Sequence, residues 1–279
     1  MKSFDTKLTS TDGIEFFVRG WEPAANPKAV VGLIHGLGEH SGRYEHVARA
    51  FTDAGYILAS FDLRGHGKSG GVRGHFPTLD AVMQDIDEFF VFLAQSYPDL
   101  PQFIYGHSLG GLLTLAYVLK NRPKLSGVIA TSAGLRSPLT EQKFKVLMVK
   151  LLGSLLPTTL LPSGLETAAI SQDRAVIERY NADSLNHDRV SLAFGKAGLS
   201  AGEFVWSQAE AFPLPLLIMH GTADRITYSH GSADFANAAS KNNPDVTLKL
   251  WDGMYHELHN ESVKEDVFNF MTDWLDRHR

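Results

Sequence analysis

The 279-residue chain has no cysteine, which excludes disulfides and thiolate metal sites. It has no basic excess. Its 26 Lys and Arg against 31 Asp and Glu leave a formal charge of -5, unlike the basic face of a nucleic-acid binder. His-x-x-x-His pairs are missing among its 12 histidines, so no metal site is expected. Gly65–Gly70 lacks the spacing of a phosphate loop and reads as a glycine-rich turn, so no nucleotide cofactor is expected either. Met1–Lys7 lacks the apolar core of a secretory signal, which gives the expectation of a cytoplasmic protein. There is no internal repeat and no low-complexity tract. One segment, Val146–Leu161, invites a membrane reading, but Lys150 and Pro157 interrupt it. It falls short of the roughly 18–20 apolar residues that a span needs. It reads either as a helix packed on the protein itself or as a greasy surface that helps an apolar substrate to enter.

What is present alternates between two periods. Ile14–Trp21, Ala29–Ile34, Tyr56–Phe61, Gln102–Tyr105, Gly127–Ala130, Leu214–Met219 and Val246–Trp251 read as strands. The residues before Ile14 are placed to form a hairpin with the first. Between the strands, Tyr44, Val47, Ala48 and Phe51 recur at helical spacing, as do Leu79, Met83, Ile86, Phe90 and Leu93. Asp80, Asp85 and Asp87 are expected near the positive end of that second helix or facing water. Val263, Val267, Phe270, Met271 and Trp274 mark a C-terminal helix. From about Pro138 to Glu210 no strand is evident and Leu- and Ala-rich helical stretches follow one another. Alternating strands and helices imply an α/β fold with a mostly parallel sheet, interrupted after its sixth strand by a helical insertion. The expected division is a core of residues 1–137 and 207–279 and a cap of residues 138–206.

The chemistry concentrates at Gly106-His107-Ser108-Leu109-Gly110, between a buried strand and a buried helix. A serine on such an elbow is held out of the sheet with its hydroxyl exposed. The flanking glycines leave room where strand and helix nearly touch. Serine needs a base and a group to orient that base, expected in the order serine, acid, histidine on loops at the C-terminal ends of later strands. Asp224 follows the strand at Leu214–Met219, and His256 follows the strand at Val246–Trp251. His259 competes as base, but His256 is the first histidine past the strand. Asp252 competes as acid, but it sits awkwardly for turning back onto His256 and suits a turn. The oxyanion donors are expected to be the N–H groups of Leu109, after the nucleophile, and of Leu37 in His35-Gly36-Leu37-Gly38.

Taken together, His35–Tyr44 (H-G-L-G-E-H-S-G-R-Y), Asp62–Gly70, Gly106–Gly111, Ala223–Arg225 and Gly253–His259 resemble the monoacylglycerol lipase and lysophospholipase group of α/β-hydrolases. The resemblance runs nearly end to end and is weakest over the cap. It implies an eight-stranded sheet, a helical cap over an acyl channel, Ser108, Asp224 and His256 as the triad, and Leu37 and Leu109 as the oxyanion hole. It further implies that Glu39, Arg43, Tyr180 and His259 receive a glycerol head group. The expected activity is hydrolysis of single-chain lipid esters, above all of monoacylglycerol, with a transient membrane-surface contact through the cap. The alternatives are a short-chain carboxylesterase, a lysophospholipase, or a non-catalytic receptor for a hydrophobic ligand. Dehalogenases and epoxide hydrolases of this fold would want a carboxylate at position 108. A haloperoxidase shares the triad. The oligomeric state is not legible.

Overall fold

Five short apolar runs are buried along nearly their whole length and therefore fill the centre of a parallel sheet. A computed structural model describes residues 1–279. In chain order the first part is β1 (Lys2–Thr9), β2 (Glu15–Glu22), β3 (Val30–Ile34), α1 (Glu45–Asp53), β4 (Ile57–Phe61), α2 (Leu79–Ser96), β5 (Gln102–His107), α3 (Leu109–Asn121) and β6 (Gly127–Thr131). An insertion follows, with α4 (Lys143–Leu155), β7 (Leu160–Pro162), α5 (Arg174–Ala182), β8 (Arg189–Ser191) and α6 (Leu192–Gln208). The chain closes with β9 (Leu216–Gly221), α7 (Ser229–Ala239), β10 (Val246–Trp251) and α8 (Lys264–His278).

The eight-stranded sheet runs in the order β1-β2-β4-β3-β5-β6-β9-β10. The β1–β2 and β2–β4 pairs are antiparallel and the rest are parallel. Successive side chains serve opposite faces. Val30 and Ile34 of β3 enter one core with residues of α2, α3, α6 and α7, whereas Val31 and Leu33 enter another with α1 and α8. Each fully buried Leu or Phe on these faces contributes about 1.5–3 kcal/mol. Helix α3 lies between sheet and insertion, so Gly110–Leu119 is buried all round.

Two expectations are corrected. The insertion is not free of strands, because β7 and β8 form a two-stranded antiparallel ribbon in which Leu161 pairs with Val190. Each is only three residues long, too short to show alternation in the sequence. Asp85 neither faces water nor serves the helix end. It is buried within α2 and accepts both the Nε and Nη2 protons of Arg64 at 2.5 Å, which satisfies a carboxylate that would otherwise be costly to bury. Within the insertion, α6 shares the main core, with Phe194, Ala201 and Val205 packed there. The remainder has a small cluster of its own around Ile170, Val176 and Tyr180. Helix α4 leaves Phe144 75% and Leu147 61% exposed. No helix is long and apolar enough to cross a membrane.

Candidate active site

The end of β5 and the start of α3 meet at Ser108, whose backbone has φ 57 and ψ -118. A non-glycine residue with positive φ costs on the order of 1–3 kcal/mol and persists only where its surroundings hold it. They do so here. Its N–H donates to the Thr131 carbonyl at 2.9 Å, and its carbonyl accepts from Leu112 at 3.1 Å and Gly134 at 3.0 Å. The elbow closes only with glycine beside it. A Cβ on Gly106 would stand 2.3 Å from the Gly110 carbonyl oxygen, and one on Gly110 would stand 2.0 Å from that of Ile34.

Loops at the ends of three strands bring the partners together. Ser108 Oγ lies 2.8 Å from His256 Nε2, and His256 Nδ1 lies 2.7 Å from Asp224 Oδ2. The loop after β9 supplies Asp224, whose other oxygen accepts the backbone N–H groups of Ile226 at 2.8 Å and Thr227 at 3.1 Å. Burial pushes the Asp224 carboxyl up. The facing His256 charge and hydrogen bonds from His220 and His256 outweigh it and hold the group well below the usual carboxylate range. Burial likewise pushes His256 down, but the Asp224 charge and hydrogen bond raise its pKa above the ordinary value. A carboxylate fixed in this way makes Nδ1 the protonated nitrogen and leaves Nε2 to take a proton from Ser108. Ser132, another non-glycine residue with positive φ (47), donates its hydroxyl to the His256 carbonyl at 2.6 Å and secures the base from behind.

The competing acid is elsewhere. Asp252 accepts the Thr222 hydroxyl at 3.1 Å in an exposed turn. Leu37 and Leu109 both line the cavity above Ser108, and their N–H groups donate to no protein acceptor. The neighbouring Gly36 N–H is already taken, by Glu39 Oε1 at 2.6 Å.

The cavity has a volume of about 400 Å³. Its lining includes the apolar side chains of Leu112, Leu139, Leu165, Phe194 and Leu199 and a polar cluster of Glu39, Arg43, Tyr180 and Glu257 whose members contact one another. Arg43 is held by Glu257 through bonds of 2.7 and 2.8 Å, and also donates to Glu39. The Tyr180 ring lies 4.7 Å from the Arg43 guanidinium, and its hydroxyl reaches the Gly38 carbonyl at 3.3 Å.

His259 does not join this group. It is buried beneath the site, stacked on Tyr44 at 4.9 Å and edge-on to His107 at 4.8 Å, and it does not line the cavity. It sits on the short 3-10 turn at Leu258–Asn260, and its burial leaves no surface on the cavity for a head group to touch. Burial, reinforced by His107, pushes its pKa well below the ordinary value.

His107, Glu257 and His259 bring three donor atoms within 4.8 Å of one another, a grouping that spacing along the chain does not reveal. Arg43 occupies both Glu257 oxygens, so a cation's charge is already supplied there and the set does not fit a metal ion. Sequence reasoning also missed Glu257 itself. Its partner Arg43 lies 214 residues away, and the only local signal is a carboxylate directly after the base.

A family model described as Hydrolase_4, serine aminopeptidase S33, matches residues 25–263. An uncharacterised abhydrolase domain-containing protein of Dictyostelium discoideum is 40% identical over 276 residues, 99% of this chain, and the chain spans only 29% of that protein's length. A monoacylglycerol lipase of Mycolicibacterium smegmatis is 32% identical over 267 residues, covering 95% of this chain and 94% of its own length. Among solved structures, the monoacylglycerol lipase of Paleococcus ferrophilus is similar over 100% of both chains, with a TM-score of 0.84 and 33% identity.

Proposed function

The chain belongs to the serine aminopeptidase S33 family of α/β-hydrolases, and from that premise we propose that it hydrolyses monoacylglycerols to fatty acid and glycerol. The observation that carries the reading is the Ser108–His256–Asp224 hydrogen-bond chain, with links of 2.8 and 2.7 Å, beside a cavity lined both by leucines with Phe194 and by the polar cluster around Arg43. An acyl chain fits the first part and a glycerol head the second. His256 Nε2 takes the Ser108 proton as Oγ attacks the ester carbonyl. The N–H groups of Leu37 and Leu109 receive the oxyanion. His256 then gives the proton to the departing glycerol oxygen, and a water activated by the same nitrogen cleaves the acyl-enzyme. Arg43, Glu39 and Tyr180 orient the glycerol, and residues 138–206 act as the cap that shapes the acyl channel.

Substrate of this kind is delivered by a lipid surface. The exposed side chains of Phe144, Leu147, Leu151 and Leu155 form an apolar strip on α4, with Lys143, Lys145 and Lys150 on the same helix. Apolar residues beside cations suit a helix that rests in the headgroup region, so this strip is the face that meets the membrane.

Glycerol release from monooleoylglycerol, measured for wild type and Ser108→Ala beside acetyl and butyryl esters, tests the proposal. Fast release by wild type alone is expected. Turnover restricted to short esters would make the chain a carboxylesterase, and no Ser108-dependent turnover would make the cavity a receptor's.

A further inference from the structure

Asp224 faces a second histidine. His220 lies in β9, four residues before Asp224, and its ring is fully buried. Its Nε2 lies 3.0 Å from Asp224 Oδ2 and 3.1 Å from the Thr227 carbonyl oxygen. The carboxylate and the carbonyl can only accept and are nearer than the Thr227 hydroxyl at 3.3 Å, so this nitrogen carries a proton. Its Nδ1 lies 2.7 Å from the Ser232 hydroxyl of α7, which is also buried and has no other acceptor. Ser232 therefore donates to Nδ1, and the tautomer is fixed from both sides.

The two oxygens of Asp224 are held differently. Backbone N–H groups of Ile226 and Thr227 hold Oδ1. Oδ2, the oxygen that faces the catalytic base, is held by side chains alone: His256, His220 and the Thr227 hydroxyl at 3.0 Å. The Thr227 hydroxyl has a second acceptor, the Ser132 carbonyl at 2.9 Å, so its single proton is shared between two claims. Besides the base itself, His220 is then the second ring N–H aimed at Oδ2, with the Thr227 carbonyl as its other acceptor.

We propose, on the basis of the triad assigned above, that His220 backed by Ser232 is a positioning residue for ester hydrolysis, setting the Asp224 oxygen where the His256 Nδ1–H meets it. His220 exchanges no proton during the cycle. Its effect is on the orientation of the imidazole and on the stability of the imidazolium formed as Ser108 attacks. The contribution therefore belongs to the transition state and not to substrate binding.

The test compares His220→Gln and His220→Phe with wild type on monooleoylglycerol. Glutamine keeps an N–H near the position of Nε2, and phenylalanine keeps the ring and removes the donor. A hydrogen bond to a charged group sets the expected scale: kcat falls about 10- to 100-fold in His220→Phe. KM stays near wild type, and His220→Gln recovers most of the rate. Full kcat in His220→Phe, or a glutamine variant as slow as the phenylalanine one, overturns the proposal. Should His220→Phe not fold, histidine-selective 15N NMR of the intact wild-type protein decides. A ring protonated at Nε2 is expected, and a His220 unprotonated there overturns the assignment. Asp224→Asn run in parallel separates the two levels. A fully active Asp224→Asn removes the triad itself, whereas an inactive one beside a fully active His220→Phe removes only the role of His220.

Discussion

Arg43 joins Glu257 by two parallel hydrogen bonds of 2.7 and 2.8 Å, and the same guanidinium reaches Glu39. Glu257 directly follows His256, while Glu39 holds the Gly36 N–H beside Leu37. One cation thus ties the loop that carries His256 to the loop that carries Gly36 and Leu37. All three side chains are less than a tenth exposed.

Removing that cation leaves two buried carboxylates without a counter-charge, their remaining partners being the Gly36 N–H, Tyr44 and Asn260. Arg43→Ala is expected to cost about 3–5 kcal/mol of stability, a fall in Tm on the order of 10 °C for a chain of this size. Calorimetry of the variant checks it. A Tm within about 3 °C of wild type would sink the clamp, since an ordinary surface ion pair, worth up to about 1 kcal/mol, gives no more than that.

Acid should loosen the fold before it reaches the carboxylates. Burial, then the charge of His256, pushes His107 down to about 3, against about 6.5 in an unfolded chain. Below about pH 6.5 the unfolded state binds a proton that folded His107 refuses, so stability declines as pH falls through the window from 6.5 towards 3. Between pH 6.5 and 5 this one group costs about 2 kcal/mol, and buried His259 shifts in the same direction. Urea midpoints at the two pH values measure it. The base behaves oppositely. With its pKa raised, His256 adds stability that is present below about 6.5 and lost as pH rises through its folded value. The same protonation sets the acid limb of kcat/KM above 6.5 for the free enzyme. Asp224→Asn should lower turnover by about 10⁴, and Asp252→Asn should leave it near wild type.

The wall of the cavity has an unused position. Gly198 lines the acyl side, and a Cβ there would meet nothing within 4 Å. Gly198→Ala should therefore keep activity and gain up to about 1 kcal/mol from helix propensity. Gly198→Phe should fill the channel and turn preference from oleoyl towards butyryl esters. Ratios of kcat/KM over a chain-length series report it, and an unchanged ratio would mean that the acyl chain runs elsewhere.

Replacing Phe144, Leu147 and Leu151 by serine should leave hydrolysis of a soluble butyryl ester unchanged, because none of the three lines the cavity. Burying one such side chain is worth about 1.5–3 kcal/mol, so cosedimentation with lipid vesicles and the rate on vesicle-borne monooleoylglycerol should fall at least tenfold. Equal rates on vesicles for both proteins would show that this strip does not meet lipid.

The central strands were legible because Ala29–Ile34 is a continuous apolar run and Ile57–Phe61 is apolar except for Ser60, a pattern that a sheet covered on both faces buries. Ser108, Asp224 and His256 were legible because each follows such a strand, and strand ends in a parallel sheet converge. The polar shell was not. Arg64 with Asp85 and Arg43 with Glu257 are pairs brought together by topology, and nothing near either member in the sequence announces the other. His259 misled for a related reason. Three residues from His256 it looked like a neighbour in the pocket, yet it is buried against Tyr44 and His107 and does not line the cavity. In β7 and β8 three residues left no period to detect.

Because Phe194, Ala201 and Val205 of α6 lie in the main core, the insertion has two unlike ends. Residues 138–191 contribute no fully buried side chain to that core and have a small cluster of their own around Ile170, Val176 and Tyr180, whereas α6 is part of the main core. Grafting another lipase's specificity onto this scaffold should therefore succeed with a junction ahead of Leu192, and one placed at residue 206 would carry the foreign helix into the core and unfold the recipient.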